Sequence, residues 1–295
     1  VKKREEPEEP HSSPNQAPLN IPADTFDQLS YHNKHTRGEY MNNKKMPQVR
    51  RMVQRIKALF GASQPCHIVD VGGGRGDLAT ALAIAFPSAH VSVVDKNEPS
   101  LEAGREYAAQ LECEDRMNFV CSDMEEVMND MMSRTEHDSD RDRKEEFMEY
   151  FANLGRSNGC DSLPPVDLVV GLHACGDLSD LALAFALQLG VPFVLCPCCY
   201  TKRYINSITP AWKIYCPLVS QGEEEKAEEI PKDLYPKSLG RLAEIDDNPQ
   251  VSRVARVAIN SMRLHGMKEA GGYSVSLEEY ELKSSSRNLV LVGSR

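Results

Sequence analysis

The chain has 295 residues, 41% of them hydrophobic and 26% charged, a balance that supports a sizeable core and excludes a wholly disordered polypeptide. Its longest apolar stretch, residues 178–194, is interrupted by Ser179, Asp180, Gln188 and Pro192, so it contains no uninterrupted span of ~20 apolar residues. A formal net charge of −10 excludes a protein that coats nucleic acid with its whole surface, and leaves only a local basic patch for phosphate contact.

Residues 1–20 read as a disordered tail: seven charged residues fall within Lys2–Glu9, and prolines recur at 7, 10, 14 and 18. Residues 21–295 read as one domain. From Met46 to Phe60, the apolar positions Val49, Met52, Val53, Ile56, Leu59 and Phe60 recur at three- and four-residue steps, which predicts an amphipathic helix. Its approach and other face carry Lys44, Lys45, Arg50, Arg51, Arg55 and Lys57. Ordinary solvation accounts for such a face; so does an RNA surface.

An alternation follows. Strands are predicted at His67–Val71, His90–Asp95, Met117–Cys121, Val166–Leu172 and Val191–Leu195, with helices at Leu78–Phe86, Leu101–Leu111 and Leu181–Leu189. Strand and helix alternating at this spacing imply right-handed crossovers and a doubly wound, mostly parallel α/β sheet. The segment 129–165 reads as a charged insertion, with ten charged residues between Arg134 and Glu146. Residues 200–248 read as irregular. A helix at Val251–Leu264 and two closing strands, Tyr273–Leu282 and Asn288–Gly293, complete the pattern.

The most informative phrase is Ile68-Val-Asp-Val-Gly-Gly-Gly-Arg-Gly-Asp-Leu78. A strand enters a turn with glycines at 72, 74 and 76, and a helix begins. Glycine lets the backbone take positive φ and approach a ligand closely, and a helix N-terminus adds unpaired N–H groups. The spacing is G-x-G-x-G, whereas dinucleotide folds use G-x-G-x-x-G. Asp70 stands two residues before the first glycine, Asp95 ends the next strand, and Asp123 follows the third. A carboxylate beside the loop suits a ligand carrying an ammonium and disfavours a pyrophosphate. Asp123 has a simpler reading as a helix cap.

Asp70-x-Gly-x-Gly-x-Gly followed by Asp95 resembles motifs I and II of class I S-adenosylmethionine (SAM)-dependent methyltransferases. The phrases Gly171-Leu-His-Ala-Cys-Gly-Asp177 and Leu195-Cys-Pro-Cys-Cys-Tyr200 resemble the methyltransferase domain of the glutathione S-transferase C-terminal domain-containing proteins. Lys44-Lys45-x-x-Gln48 and Ser286-Arg-Asn-Leu-Val-Leu-Val-Gly293 support the likeness. The chain departs from those proteins in showing no transferase-like N-terminal domain and in carrying the insertion. The resemblance implies a Rossmann-like, seven-stranded sheet closed by an antiparallel strand pair, with SAM as cofactor. Asp70 and the loop glycines Gly72, Gly74 and Gly76 would hold its amino-acid end, Asp95 its ribose hydroxyls and Asp123 its adenine. Relatives among tRNA-modifying enzymes make RNA the slightly favoured methyl acceptor, recruited through the basic helix Lys44–Lys57. The alternatives are a non-catalytic methyltransferase-like scaffold and an NAD-dependent oxidoreductase.

His173 is the candidate catalytic base, because imidazole takes up a proton near neutral pH. Cys175, Cys196, Cys198 and Cys199 have three readings: buried packing, substrate contact, or soft metal ligands. C-x-C-C is not ordinary zinc spacing, and successive strand residues point to opposite faces, so no metal is expected. Nine cysteines in an irregular, odd-numbered arrangement suit a reducing compartment. The charged N-terminal segment has no apolar signal core. A cytoplasmic location is therefore expected, with the nucleus as the alternative.

Overall fold

The computed structural model describes residues 45–134, 163–200, 234–280 and 288–295. The expected tail, Lys44 and most of the charged insertion lie outside these residues. The elements run α1 (Met46–Phe60), β1 (His67–Val71), α2 (Asp77–Ala85), β2 (His90–Asp95), α3 (Glu98–Gln110) and a short 3₁₀ turn (Glu114–Arg116). Then come β3 (Met117–Cys121), α4 (Met124–Arg134), β4 (Leu168–Leu172), α5 (Leu178–Leu189), β5 (Phe193–Cys196), α6 (Leu234–Ala243), α7 (Pro249–Gly271), β6 (Ser274–Glu279) and β7 (Leu289–Ser294).

The seven strands form one sheet in the order β3-β2-β1-β4-β5-β7-β6. β1 to β5 are parallel, with Val69 opposite both Ser92 and Val169. β7 returns antiparallel between β5 and β6 and pairs with both. The expected closing hairpin is therefore present, with its later strand on the inside.

Strand residues alternate between two cores, as a period of two requires. Ile68, Val91, Val93, Phe119, Val170 and Val292 face α1, α2 and α3. Val69, Val71, Val94, Val120, Val169 and Leu291 face α4, α5 and α7. Both faces are covered, so β1 and β4 are buried along their whole length, the polar His67 and Asp70 of β1 included. No helix among the described residues is long and apolar enough to cross a membrane.

Several boundaries differ from the sequence reading for identifiable reasons. α3 starts three residues before Leu101, where Asn97 caps the Ser100 N–H and Pro99 falls in the first turn. α7 runs to Gly271, seven residues past Leu264, and ends on Gly272 in the left-handed region. α4 begins five residues before the segment read as insertion and runs into it. Its apolar positions Met124, Val127 and Met128 pack under the sheet, while its acids disguise them. α6 lies in the segment read as irregular, where a proline sits in the first turn and is tolerated because that turn needs few N–H donors.

Candidate functional site

The strand order reverses direction between β1 and β4, and ligands of open α/β sheets bind outside the carboxyl ends of the strands at such a point. A cavity of about 520 Å³ lies there, with Gly72 after β1, Asp95 at the end of β2, Asp123 after β3, and His173 and Cys175 after β4 in its wall. Four parallel strands thus deliver Gly72, Asp95, Asp123 and His173 to one cavity, whereas Asp70, Gly74 and Gly76 do not line it.

Gly72, Gly74 and Gly76 all have positive φ, of 70°, 58° and 72°. At Gly76 a side chain would also meet Phe119 and Val93, so the turn demands glycine on both conformational and spatial grounds. The Gly74 N–H donates to Asp95 Oδ2 at 2.9 Å, and the Asn97 N–H donates to Asp95 Oδ1 at 2.9 Å. Asp95 therefore ties the glycine loop to the start of α3 while forming part of the cavity wall.

Asp70 lies beneath the loop and outside the cavity lining. Its carboxylate would collide with a side chain on Gly73. The residue is 1% exposed, and neither oxygen meets a hydrogen-bond donor among the described residues. Burial pushes its carboxyl up to about 8; the nearby Lys45 ammonium opposes the rise, and the charges of Asp95 and Asp77 add to it. Lys45 itself is bound to the buried Asp77. The loop therefore rests on a carboxyl whose ionisation any cation bound nearby would favour.

Asp123 caps a helix, as its simpler reading held, and also lines the cavity. Its Oδ1 accepts the Glu125 N–H at 3.1 Å as a cap of α4, and its Oδ2 pairs with Lys96 Nζ at 2.9 Å on the cavity rim. An adenine amino group would compete with Lys96 for this oxygen.

His173 is a non-glycine residue at φ 66°, a conformation that costs energy and recurs at functional sites. Its N–H donates to the Cys196 carbonyl at 3.0 Å, which fixes the end of β4 to the end of β5. Its Nε2 lies 2.8 Å from Gln48 Oε1, an acceptor only, so the proton sits on Nε2 and Nδ1 is the basic nitrogen of the neutral ring. Gln48 also bonds to Tyr280, whose hydroxyl lies 3.5 Å from Cys196 Sγ. Burial holds the Tyr280 hydroxyl well above the usual phenol range and the Cys196 thiol up to about 11. A buried relay from α1 thus orients the imidazole. Gln48 was legible as a polar residue on the apolar stripe of α1, one turn before Met52, but its role was not.

Three of the four cysteines, Cys175, Cys198 and Cys199, gather in one place. β5 ends at Cys196, so Cys198 and Cys199 escape the strand alternation. Cys198 Sγ lies 2.9 Å from Cys175 Sγ and 3.4 Å from Cys199 Sγ. Shared hydrogen bonding with Cys175, together with burial, holds the Cys198 thiol far above its ordinary range. Cys196 faces the opposite core. Arg263 of α7 anchors the neighbouring loop: it makes two 2.8 Å contacts with Asp180 and donates to the Gly176 carbonyl at 3.2 Å. Sequence reasoning passed over Arg263, which looks like an exposed helix cation.

The basic face of α1 is largely committed within the molecule. Arg55 Nε lies 2.6 Å and Arg51 Nη2 3.8 Å from Glu278 of β6. Lys45 is held by Asp77, and Lys57 sits over the Phe86 ring at 6.0 Å.

Residues 44–204, more than half of the chain, match the model of a family described as a methyltransferase domain. Among curated proteins, the chain is 24% identical over 196 residues to a glutathione S-transferase C-terminal domain-containing protein homolog of Drosophila pseudoobscura pseudoobscura, covering 66% of this chain and 26% of that one. It is 24% identical over 236 residues to the glutathione S-transferase C-terminal domain-containing protein of Mus musculus, covering 77% and 30%. The chain thus spans less than a third of the length of either relative. Among solved structures, the O-methyltransferase TomG from Streptomyces achromogenes, in complex with SAM, is 11% identical with a TM-score of 0.47, covering 92% of this chain and 94% of that one. Magnesium protoporphyrin IX methyltransferase from Synechocystis PCC 6803, with bound SAH, is 11% identical with a TM-score of 0.44 and the same coverages.

Proposed function

The chain belongs to the methyltransferase-domain family, and from that premise we propose that its cavity binds SAM and that the protein transfers the methyl group to an acceptor entering beside His173. The observation that carries this reading is the buried carboxyl of Asp70, without a hydrogen-bond partner among the described residues, under a glycine turn whose next acid, Asp95, stands in the cavity wall. A cationic amino-acid group over the loop would relieve that carboxyl, and a pyrophosphate would aggravate it.

Bound SAM would supply a methyl group on an electrophilic sulfonium. The chain's own residues bind, align and shield. Gly72, in the cavity wall, would let the backbone approach the amino-acid end, while Gly74 and Gly76 give the loop the turn that brings it there. Asp95 would accept hydrogen bonds from the ribose hydroxyls, and Asp123 from the adenine amino group once Lys96 has yielded an oxygen. Alignment of the acceptor within a walled cavity contributes most to a displacement of this kind. His173 Nδ1 would take the proton released by a hydroxyl or nitrogen acceptor.

For the acceptor we infer RNA, on the strength of the cations that precede β1. Arg51 and Arg55 would have to exchange Glu278 for phosphate, so few contacts are expected. tRNA affinity measured over a salt series should then fall with a log–log slope of about −0.7 to −0.9 per phosphate contact. Salt-independent binding, or no binding at low salt, would move the acceptor to a protein or small molecule. Conversion of SAM to S-adenosylhomocysteine by purified protein in cell lysate tests turnover itself. SAM binding without conversion under every acceptor supplied would favour the scaffold reading.

A further inference from the structure

The thiols of Cys175, Cys198 and Cys199 lie within 4.8 Å of one another, at the junction of the loops that follow β4 and β5. Three features set them apart from ordinary packing cysteines. They come from two chain segments that meet nowhere in sequence. The segments are locked together by main-chain bonds, from the Gly176 N–H to the Cys199 carbonyl at 3.0 Å and from the His173 N–H to the Cys196 carbonyl at 3.0 Å. Buried Arg263 holds the Gly176 carbonyl from below. The thiols are thus gathered on a rigid frame.

The spacing fits a shared ion better than a crosslink. Cys175 and Cys198 Sγ, at 2.9 Å, are well beyond the ~2.05 Å of a disulfide, and the third thiol is as close to Cys198 as a ligand set would need. In a tetrahedral site with Zn–S of ~2.3 Å, neighbouring sulfurs stand about 3.8 Å apart. The observed separations of 2.9 and 3.4 Å, and a third no greater than 4.8 Å, lie within about 1 Å of that value, reachable by small side-chain rotations. The strand-face argument against zinc applies to Cys196, which points into the other core. It does not apply to the two cysteines beyond the end of β5.

We propose that Cys175, Cys198 and Cys199 form a three-thiolate zinc site beside the cavity, whose wall Cys175 reaches. Binding converts three S–H groups into three Zn–S bonds and releases three protons to solvent, with no change of oxidation state. Sulfur ligands select zinc over magnesium or calcium. Three protein ligands leave the fourth tetrahedral position to a ligand from outside the trio, as in zinc sites that handle substrate. Cys175 shares the cavity wall with His173, which puts the ion on the β4 side, away from Asp95 and Asp123. There it would hold a heteroatom of the acceptor, or water. The site rests on the thiol geometry and stands independently of SAM binding.

The test uses the full chain, purified with a thiol reductant and stripped of metal by chelator. Titration with Co²⁺ should give one equivalent bound, with thiolate-to-cobalt charge-transfer absorption and the intense visible bands of a tetrahedral ion, all displaced by one equivalent of Zn²⁺. Cys198→Ser and, separately, the less buried Cys199→Ala should lose these bands, while Cys66→Ser, at an exposed thiol outside the trio, keeps them. Circular dichroism of each variant confirms that it is folded, and SAM titration of the same samples reports the cofactor site separately. Absence of stoichiometric Co²⁺ binding by the reduced, folded chain would overturn the proposal. So would bands that survive both substitutions.

Discussion

Replacing Asp70 by Asn removes one ionisable proton and almost no volume, and its effect should depend on pH. The folded chain holds the Asp70 carboxyl at about 8, against an ordinary value of 3.8. Between those values the native state keeps a proton that the unfolded chain gives up, so stability falls as pH rises through the window and levels off above about 8. Each pH unit is worth about 1.4 kcal/mol. From pH 6 to pH 8 the parent should therefore lose roughly 2–3 kcal/mol that Asp70→Asn does not, and the full window of about four units sets an upper bound on the order of 5 kcal/mol. At about 2–4 °C per kcal/mol for a chain of this size class, the variant should gain roughly 4–12 °C in Tm on the parent between pH 6 and pH 8. Thermal melts of the two ligand-free proteins at half-unit pH steps measure the difference directly, and other titrating groups cancel in it. Parallel pH profiles would mean that Asp70 is ionised at neutral pH in the folded chain, and the account of a carboxyl that burial keeps protonated would fail.

Three further outcomes follow from the packing and the charges. Gly104→Ala on α3 would place a methyl group 2.6 Å from the Phe119 ring and 2.7 Å from the Arg75 carbonyl; because backbone cannot step aside, about 1–3 kcal/mol of stability should be lost, read as a shift in urea midpoint at constant slope. Arg263→Met leaves Asp180 buried without its cation, and should cost roughly 3–5 kcal/mol, most of it recovered in the double variant with Asp180→Leu; no recovery would mean that the pair is not the reason for the loss. Glu278→Ala should release Arg51 and Arg55 and steepen the salt dependence of tRNA binding by one to two contacts, whereas Arg51→Glu with Arg55→Glu should abolish that binding. An unchanged slope in Glu278→Ala would remove α1 from the RNA reading.

Much of the architecture was legible because the alternation of periods is strong. His90–Asp95 and Met117–Cys121 are strands at the residues where β-branched and aromatic runs placed them, and the three glycines sit at positive φ where a strand-to-helix turn needs them. What stayed hidden depends on contacts across the chain. α4 and α6 escaped notice because charged or proline-bearing segments carry their few apolar positions. The commitment of Arg51 and Arg55 could not be read from α1, since their partner Glu278 is 223 residues beyond Arg55. Asp70 was legible as an acid beside the loop, but its lack of a donor among the described residues is a property of the packed core. The cysteine trio needed the end of β5 to be located: two more residues of strand and Cys198 would have faced the same core as Cys196, away from Cys175.

The central claim is that the crevice between β1 and β4 takes SAM. Isothermal titration of SAM, S-adenosylhomocysteine and NAD⁺ into the full chain, repeated with Asp95→Asn, tests it most directly. The account predicts stoichiometric binding of the first two ligands and none of NAD⁺. It also predicts a loss of about 1.5–3 kcal/mol in Asp95→Asn, roughly ten- to hundredfold in Kd, because a charge-assisted acceptor for the ribose hydroxyls is replaced by a neutral one. Tight NAD⁺ binding with no SAM binding would contradict the account, as would SAM bound equally well by a folded Asp95→Asn variant.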